Sequence, residues 1–571
     1  MRKILTISTL ILYTLVYGGS PNNEYSKFLP DLGDTDRARL SPTDADFLGR
    51  QIVQDINNQG GMLFDYDTLN YLNDVGNELV SYSPLAGGNF NFYLIKDKEI
   101  NAFALPGGYI CFYNGLLATA DSEAELASVM AHEIGHIVQH HIFRNIGNYN
   151  RSQWVAIAGM LAGGLLAVVN PSAALLAISG GQGIAIQNML SFSRDFEREA
   201  DRVGQKIMYN AGYNPHAMPL FFQRMQDQNK FNNNEALAFL QTHPVTSERL
   251  SEAMERANQL MDIHKPDSLS FMLIREKART RQLGAPSAIL FYTTVLNNLN
   301  AGKTNSIKII NNINKNNYSP INTGNASNVG NTSSNINNNS NISNIVNIDN
   351  SNININSNTI TTNTNIKTKV GNYNIIYYGL AFAQMGALKY NDALTTINKI
   401  TDANIKRHPA YFSLKAQILT ALNKYSESNK VYNQGLDIYP NYKGLWLGQI
   451  DLNLKAKDIK KVAVQLENLS LLYPNDGDIW AREALVYSDV NLNNKPKYHY
   501  AFGNQLFLLL NYRGALEQYQ LALKYANNND VNNSGINNQS KNLDSSIFND
   551  MISSKIIETQ RLIRNQAQYS G

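Results

Sequence analysis

Residues 131–141 read AHEIGHIVQHH, four histidines in eleven positions. His132 and His136 stand four residues apart, about one helical turn, so on a helix both rings leave the same face. Their nitrogens can converge on one zinc ion at about 2 Å each. Glu133 is displaced by about 100° around the axis, where its carboxylate can reach water on the metal and act as a base. The competing reading is a polar patch of rings on a solvated helix.

A hydrolytic zinc takes three protein ligands and keeps one position open. One known spacing, His-Glu-x-x-His-x-x-Gly-x-x-His, supplies the third directly. Here Gln139 and Ile142 occupy the last two of those positions, so that source is absent. A carboxylate from a later helix remains. Ser191 to Gly212, SFSRDFEREADRVGQKIMYNAG, reads as a polar-faced helix ending at a glycine. Within it Glu197 is the best candidate ligand. Asp201, one turn on, can accept a hydrogen bond from a ligand histidine and fix its tautomer. Against this stands a plain solvated face of Glu197, Glu199 and Asp201 interleaved with Arg194, Arg198 and Arg202.

This chemistry needs a rigid helix under residues 131–141. Asp121 or Ser122 can cap one, with Glu123 and Glu125 in its first turn. Upstream, NFNFYLI (Asn89 to Ile95) alternates like a strand, and INAFALPGGYICFYNGLL (Ile100 to Leu117) reads as strand, turn, strand. Asp44 to Ser83 has helical apolar spacing. Trp154 to Ile186, rich in Ala, Gly and Leu, is split by Asn170-Pro171 into two pieces too short to cross a bilayer upright. It reads as a buried helical hairpin, or as a peripheral membrane contact.

From Thr304 to about residue 370 the composition collapses to Asn, Ser, Thr and Ile, which predicts a disordered insertion. Helical patterns flank it: SFMLIREKARTRQL and SAILFYTTVLNNL before, and an array from Tyr373 after. Tyr439-Pro440 recurs as Tyr473-Pro474, and Trp446 as Trp480, both 34 residues on; His408-Pro409 lies 31 residues before the first pair. A 34-residue helix-turn-helix period resembles the tetratricopeptide repeat, whose units stack to bury their apolar faces. IFNDMISSKIIETQRLI, Ile547 to Ile563, reads as an amphipathic helix that caps the array or meets a partner.

The 571 residues allow two or three domains, and a net charge of +3 gives no argument for nucleic acid as a partner. Arg2 and Lys3, an apolar run from Ile4 to Val16, and Gly18, Gly19 and Ser20 predict a cleavable export signal, with an uncleaved anchor as the rival. Cys111 is the only cysteine, so an internal disulfide is excluded. Export without disulfides suits the bacterial periplasm.

HEIGH, SRDFEREAD and THPVTSER, in that order, with NAFALPGGYI ahead of them, resemble the gluzincin family that includes CAAX prenyl endopeptidases, the heat-shock membrane protease and the mitochondrial inner-membrane stress protease. The export signal and repeat array narrow the resemblance to its periplasmic members that work in outer-membrane β-barrel assembly. It covers about Asp44 to Lys303 and Tyr373 to Asn527. The resemblance implies one zinc per subunit on His132, His136 and Glu197, Glu133 as catalytic base, and Asp201 as the acid behind a ligand. His243, in THP, matches a histidine that can close the fourth zinc position and keep such a protease latent. Read from the residues alone, His243 is instead an oxyanion donor or a surface ring. His140 and His141 receive no ligand role; packing or an outer hydrogen bond accounts for His141.

The expected architecture is an α+β zincin-like metalloprotease domain, mostly helical with a small sheet, followed by an all-α tetratricopeptide-repeat superhelix. The expected boundaries are a signal peptide (1–20), the protease (21–265), first repeat-like helices (266–303), the Asn-rich insertion (304–370), the repeats (371–527), and an Asn-rich linker with a C-terminal helix (528–571). The implied function is a periplasmic zinc endopeptidase with a chaperone-like role in β-barrel assembly and degradation of stalled or misfolded chains. The alternative is a repeat-based scaffold whose protease is largely latent. Expected partners are unfolded or stalled outer-membrane proteins and, through the repeats, the outer-membrane assembly machinery. Residues 154–186 are the candidate membrane contact, and the strand after Pro106 is the expected edge for an extended substrate.

Overall fold

The computed structural model describes residues 42–146, 193–230, 237–301, 364–489, 492, 494–533 and 539–569. The export signal at 1–20, the apolar stretch at 154–186 and residues 304–363 of the Asn-rich segment lie outside the described residues.

Two helices come first, α1 (Pro42–Asn58) and α2 (Tyr66–Ser81). Strands β1 (Asn91–Ile95), β2 (Ala102–Leu105) and β3 (Tyr109–Tyr113) follow. They form one sheet in the order β1-β3-β2, with β1 parallel and β2 antiparallel to β3. The tight turn between β2 and β3 uses Gly107 and Gly108 at φ 80° and 87°, a region L side chains avoid. The strand after Pro106 is therefore β3, and it is the middle strand, hydrogen-bonded on both sides. This overturns its expected role as a docking edge: β1 returns to pair in parallel with its other side, and the outer strands of the sheet are β1 and β2.

Helix α3 (Asn114–Thr119) leads to α4 (Glu123–Val138), capped by Ser122, whose Oγ accepts from the Glu125 N–H at 3.2 Å. Every residue of α4 from Glu125 to His136 is buried. Such a helix shows no amphipathic stripe, because it has no solvent face. Around it pack β2, α2, and two helices from further on; α5 (His141–Ile146) comes next, then α6 (Arg194–Asn210), α7 (Ala217–Lys230), α8 (Leu237–Thr242) and α9 (Ser247–Asn258). The flanking pair are α6 and α7.

Helix α10 (Leu269–Leu283) joins two cores: Phe271, Ile274 and Ala278 face the sheet side, and Leu273 the helical array. Its N-cap Ser268 donates its Oγ–H to Glu123 Oε1 at 2.7 Å, tying it to the start of α4. Helices α11 (Ala285–Asn300) and α12 (Thr364–Gly386) pack through Tyr292, Val295, Ile376 and Leu380. Helix α12 starts ahead of the boundary expected at residue 371, since a nucleated helix extends at one bond per residue.

After α13 (Tyr390–Ile397) and α14 (Ala403–Arg407) come α15 (Pro409–Ala421), α16 (Tyr425–Ile438), α17 (Lys443–Lys455), α18 (Ile459–Leu472), α19 (Gly477–Tyr487) and α20 (Lys495–Leu508). Successive hairpins start at Pro409, Lys443 and Gly477, 34 residues apart. Trp446 Nε1–H donates to the Pro440 carbonyl at 2.7 Å, and Trp480 makes the same bond to Pro474 at 2.8 Å. Helices α21 (Tyr512–Asn533) and α22 (Gln539–Tyr569) end the described chain. The array is bolted to α2: Tyr442 Oη donates to Asp67 at 2.8 Å, Tyr66 Oη to Asp478 at 2.9 Å, and buried Lys277 bridges Asp65 and Asp67 at 2.6 and 2.7 Å. No helix among the described residues is long and apolar enough to cross a membrane.

Candidate metal centre

The site forms where α4 and α6 press backbone to backbone. A Cβ on Gly135 would lie 2.9 Å from the Ala200 carbonyl oxygen, and one on Gly204 would lie 2.8 Å from the His132 nitrogen. Interhelix distance is set by the side chains at the crossing, and here Gly135 and Gly204 present none. Ser193 caps α6, and α6 turns Glu197, Ala200, Asp201 and Gly204 inward. Glu197 is 1% exposed and Asp201 0%, so the solvated acidic face is not what forms. Arg198 points outward and pairs with Glu252.

His132, Glu133 and His136 are 2%, 0% and 0% exposed. Rings in the core must be satisfied there, which removes the polar-patch reading. His132 Nε2 lies 3.0 Å from His136 Nε2 and 3.3 Å from His243 Nδ1. Glu197 Oε1 lies 3.0 Å from His243 Nδ1 and 3.4 Å from His136 Nε2. A tetrahedral zinc with ligands at about 2.0–2.1 Å needs donors about 3.3–3.4 Å apart. Two nitrogens facing each other at such range need a shared proton or a shared cation. The four residues offer donor atoms within 4.8 Å of one another, and three imidazoles with a carboxylate are a zinc donor set.

His243 is delivered by the loop between α8 and α9. Its backbone N–H donates to the Phe239 carbonyl at 2.7 Å, and its ring packs 5.1 Å from the Phe239 ring. Its Nδ1 faces the donor atoms, while its Nε2 stands 3.4 Å from Glu133 Oε1. The Glu133 carboxylate has no side-chain hydrogen-bond partner among the described residues, and the backbone of Ala104 is the hydrogen-bonding group beside it. Burial pushes the Glu133 carboxyl up, against the pull of His243 and His132. A buried carboxylate without a side-chain hydrogen-bond partner, next to a cluster of donors, is a mark of a functional site.

Asp201 Oδ1 lies 2.9 Å from His132 Nδ1. The residue that completes this arrangement is Arg249, which sequence reasoning missed. It is 1% exposed, donates to Asp201 through Nε and Nη2 at 2.7 Å each, and pairs with Glu197 at 2.6 Å. Burial alone would raise both carboxyls, yet the Arg249 charge, with the histidines, holds Glu197 well below the usual range and Asp201 below it. Two acids one turn apart on a buried face demand a buried cation, and that demand was the available signal. Burial opposes charge on His132, but hydrogen bonds to Asp201 and Glu197 outweigh it and lift the ring to about 10. Burial drives His136 well below its ordinary value, and His141 to about 4.

All six residues singled out in the sequence, His132, Glu133, His136, Glu197, Asp201 and His243, are brought into this one cluster. Residues 68–257 match the family model of Peptidase family M48. Over 280 residues the chain is 36% identical to the beta-barrel assembly-enhancing protease of Escherichia coli (strain K12), covering 49% of this chain and 57% of that protein. It is 36% identical over 232 residues to the protein of that name from Yersinia pestis, covering 41% and 48%. It is 29% identical over 230 residues to the mitochondrial metalloendopeptidase OMA1 of Schizosaccharomyces pombe, covering 39% and 64%. The chain thus spans about half the length of the bacterial relatives it matches. The whole buried cluster lies within residues 68–257, the stretch that matches peptidase family M48.

Proposed function

We propose that this chain is a zinc-dependent endopeptidase of the periplasm, exported by its N-terminal signal. It acts on outer-membrane β-barrel proteins during assembly and cuts those that stall or misfold. The observation that carries the reading is the convergence of His132, His136, Glu197 and His243 in the protein interior with Glu133 beside them. His132 Nε2, His136 Nε2 and Glu197 would hold the ion. Bound zinc supplies Lewis acidity, lowering the pKa of water from 15.7 to about 7 and polarising a carbonyl. Glu133, raised by burial, takes the proton of the attacking water and returns it to the leaving amine. Asp201 accepts from His132 Nδ1 and so keeps the Nε2 lone pair free for the metal. Arg249 keeps both acids ionised. The outer edge of β2, which packs along α4, can pair with an extended substrate through its backbone once the chain enters beside it, a mode that suits unfolded chains. The 34-residue hairpins read as tetratricopeptide repeats whose concave side docks on the assembly machinery.

A second reading is favoured by His243, whose Nδ1 sits among the donors. A site closed by four protein ligands has no place for water. The array then works as a scaffold or chaperone, and the protease stays shut until His243 swings away.

The test begins with metal analysis of the purified full chain. Wild type should carry one zinc, Glu197→Ala should hold it far more weakly, and Glu133→Gln should keep it while losing proteolysis of an unfolded protein by several powers of ten. His243→Ala should raise proteolysis. Wild type without stoichiometric zinc overturns the reading. If Glu133→Gln restores barrel assembly to a deletion strain as well as wild type does, the scaffold reading replaces it.

A further inference from the structure

We infer that His141 is a positioning residue for the metal centre: it accepts a hydrogen bond from His136 Nδ1 and so holds the His136 Nε2 lone pair toward the ion. The inference deepens the zinc reading above and rests on it.

His141 is fully buried. Its Nδ1 lies 3.0 Å from His136 Nδ1, and its Nε2 lies 3.1 Å from Glu199 Oε2. Arg144 donates to the same Glu199 oxygen at 2.9 Å. These contacts fix the direction of every proton. An ionised carboxylate only accepts, so His141 Nε2 carries the hydrogen. A neutral ring has one donor and one acceptor, so His141 Nδ1 accepts, and the donor facing it is His136 Nδ1–H. His136 is then left with its lone pair on Nε2, the atom 3.0 Å from His132 Nε2 and 3.4 Å from Glu197. A charged His141 would set a second donor against His136 Nδ1 and a positive charge behind a ring meant to face a cation.

The chain goes out of its way to make this contact. Helix α4 ends at Val138, and His140 takes φ 54°, the left-handed region that a non-glycine residue rarely adopts. That reversal starts α5 at His141 and swings its ring back beneath the last turn of α4. The ring then lies flat on Phe196 of α6, centroids 4.5 Å apart at 9°. Strained backbone beside a ligand helix is where a fold spends stability on geometry. The result mirrors the other ligand ring. His132 is tethered directly by Asp201 and Arg249; His136 is tethered through His141 to Glu199 and Arg144.

The test compares zinc affinity of the full chain, stripped of metal and titrated against a chelating dye. His141→Phe keeps the stack on Phe196 but has no acceptor. His141→Asn sets an oxygen roughly where Nδ1 lies. The expected result is zinc binding weakened about 10–100-fold in His141→Phe and largely recovered in His141→Asn, with the visible bands of the cobalt-loaded protein displaced only in the former. Should the Phe ring prevent folding, His141→Leu against His141→Asn gives the same contrast. Equal affinity of the apolar variant and wild type overturns the inference, as does an equal loss in the apolar and Asn variants. Wild type that binds no zinc refutes the zinc reading itself, so the two failures are distinct.

Discussion

Replacing Arg249 by methionine should destabilise the metal-free protein by about 3–5 kcal/mol. The guanidinium is buried and makes three charge-assisted contacts, at 2.7, 2.7 and 2.6 Å, to Asp201 and Glu197. Each such bond nets about 1.5–3 kcal/mol, which would total about 5–9 kcal/mol if the terms were independent. They share one group, so they do not add. Either acid can also bind a proton rather than stay bare, which limits the loss to the range seen for stripping one partner from a buried ion cluster. For a domain of this size that is a fall in melting temperature of about 6–20 °C. Calorimetry of the chelator-treated full chain at pH 7 should show it in the protease-domain transition. The acid limb gives a second readout. Glu197 and Asp201 are held below the ordinary carboxylate range, so their contribution is present above about pH 4 and is lost as pH falls through their folded values. Without Arg249 those values rise, and the loss should begin at higher pH. Lysine should rescue only partly, because a point charge cannot span both carboxylates. A destabilisation below about 1 kcal/mol, or an acid limb that does not move, would refute the reasoning.

Gly204→Ala puts a methyl 2.8 Å from the His132 backbone nitrogen, so α4 and α6 must part; it should cost about 1–3 kcal/mol and weaken zinc binding, read by melting and by dye competition. Glu483 in α19 is 4% exposed, and burial lifts it to about 7, aided by Glu467 and opposed by Ser470. An acid raised in the folded state penalises folding as pH climbs from its ordinary value to about 7, by up to about 3 kcal/mol. Glu483→Gln should therefore stabilise the array at pH 8 and have little effect at pH 4, measured by urea unfolding at both.

What the sequence disclosed follows from how local each relation is. The His132–His136 pair was legible because helix geometry alone joins residues four apart. The 34-residue period was legible because two successive hairpins each keep a tryptophan that bonds a proline carbonyl. His408-Pro409 broke the spacing because it occupies the start of α15, the place of Tyr442 and Asp476 in the next hairpins, not that of Tyr439. Which strand keeps an open edge depends on where β1 docks, so β3 was misjudged. Arg249 and His141 carry no local pattern. Their roles exist only once α9 packs on α6 and once His140 reverses the chain.

The same buried charges dictate how metal must arrive. Glu197 and Asp201 share the one guanidinium of Arg249, Glu133 is buried in the same cluster, and an interior short of positive charge will recruit it. In the metal-free protein His132 supplies it, held protonated up to about 10 by Asp201 and Glu197 despite burial. Its Nδ1–H goes to Asp201, and its Nε2–H points into the donor cluster, toward His136 Nε2 at 3.0 Å, His243 Nδ1 at 3.3 Å and Glu197 Oε2 at 3.5 Å. That proton sits where the ion must sit, so the two are mutually exclusive. Zinc uptake at pH 8 should release about one proton from this ring, seen as a binding enthalpy that scales with the ionisation enthalpy of the buffer. The sign of the stability profile follows. His132 is raised above its unfolded value, so the metal-free protein holds this contribution below about pH 6.5 and loses it as pH rises through about 10. The zinc-loaded protein should lack that alkaline limb. A binding enthalpy independent of buffer would show that His132 is neutral before metal enters, and the charge balance proposed for the cluster would then fail.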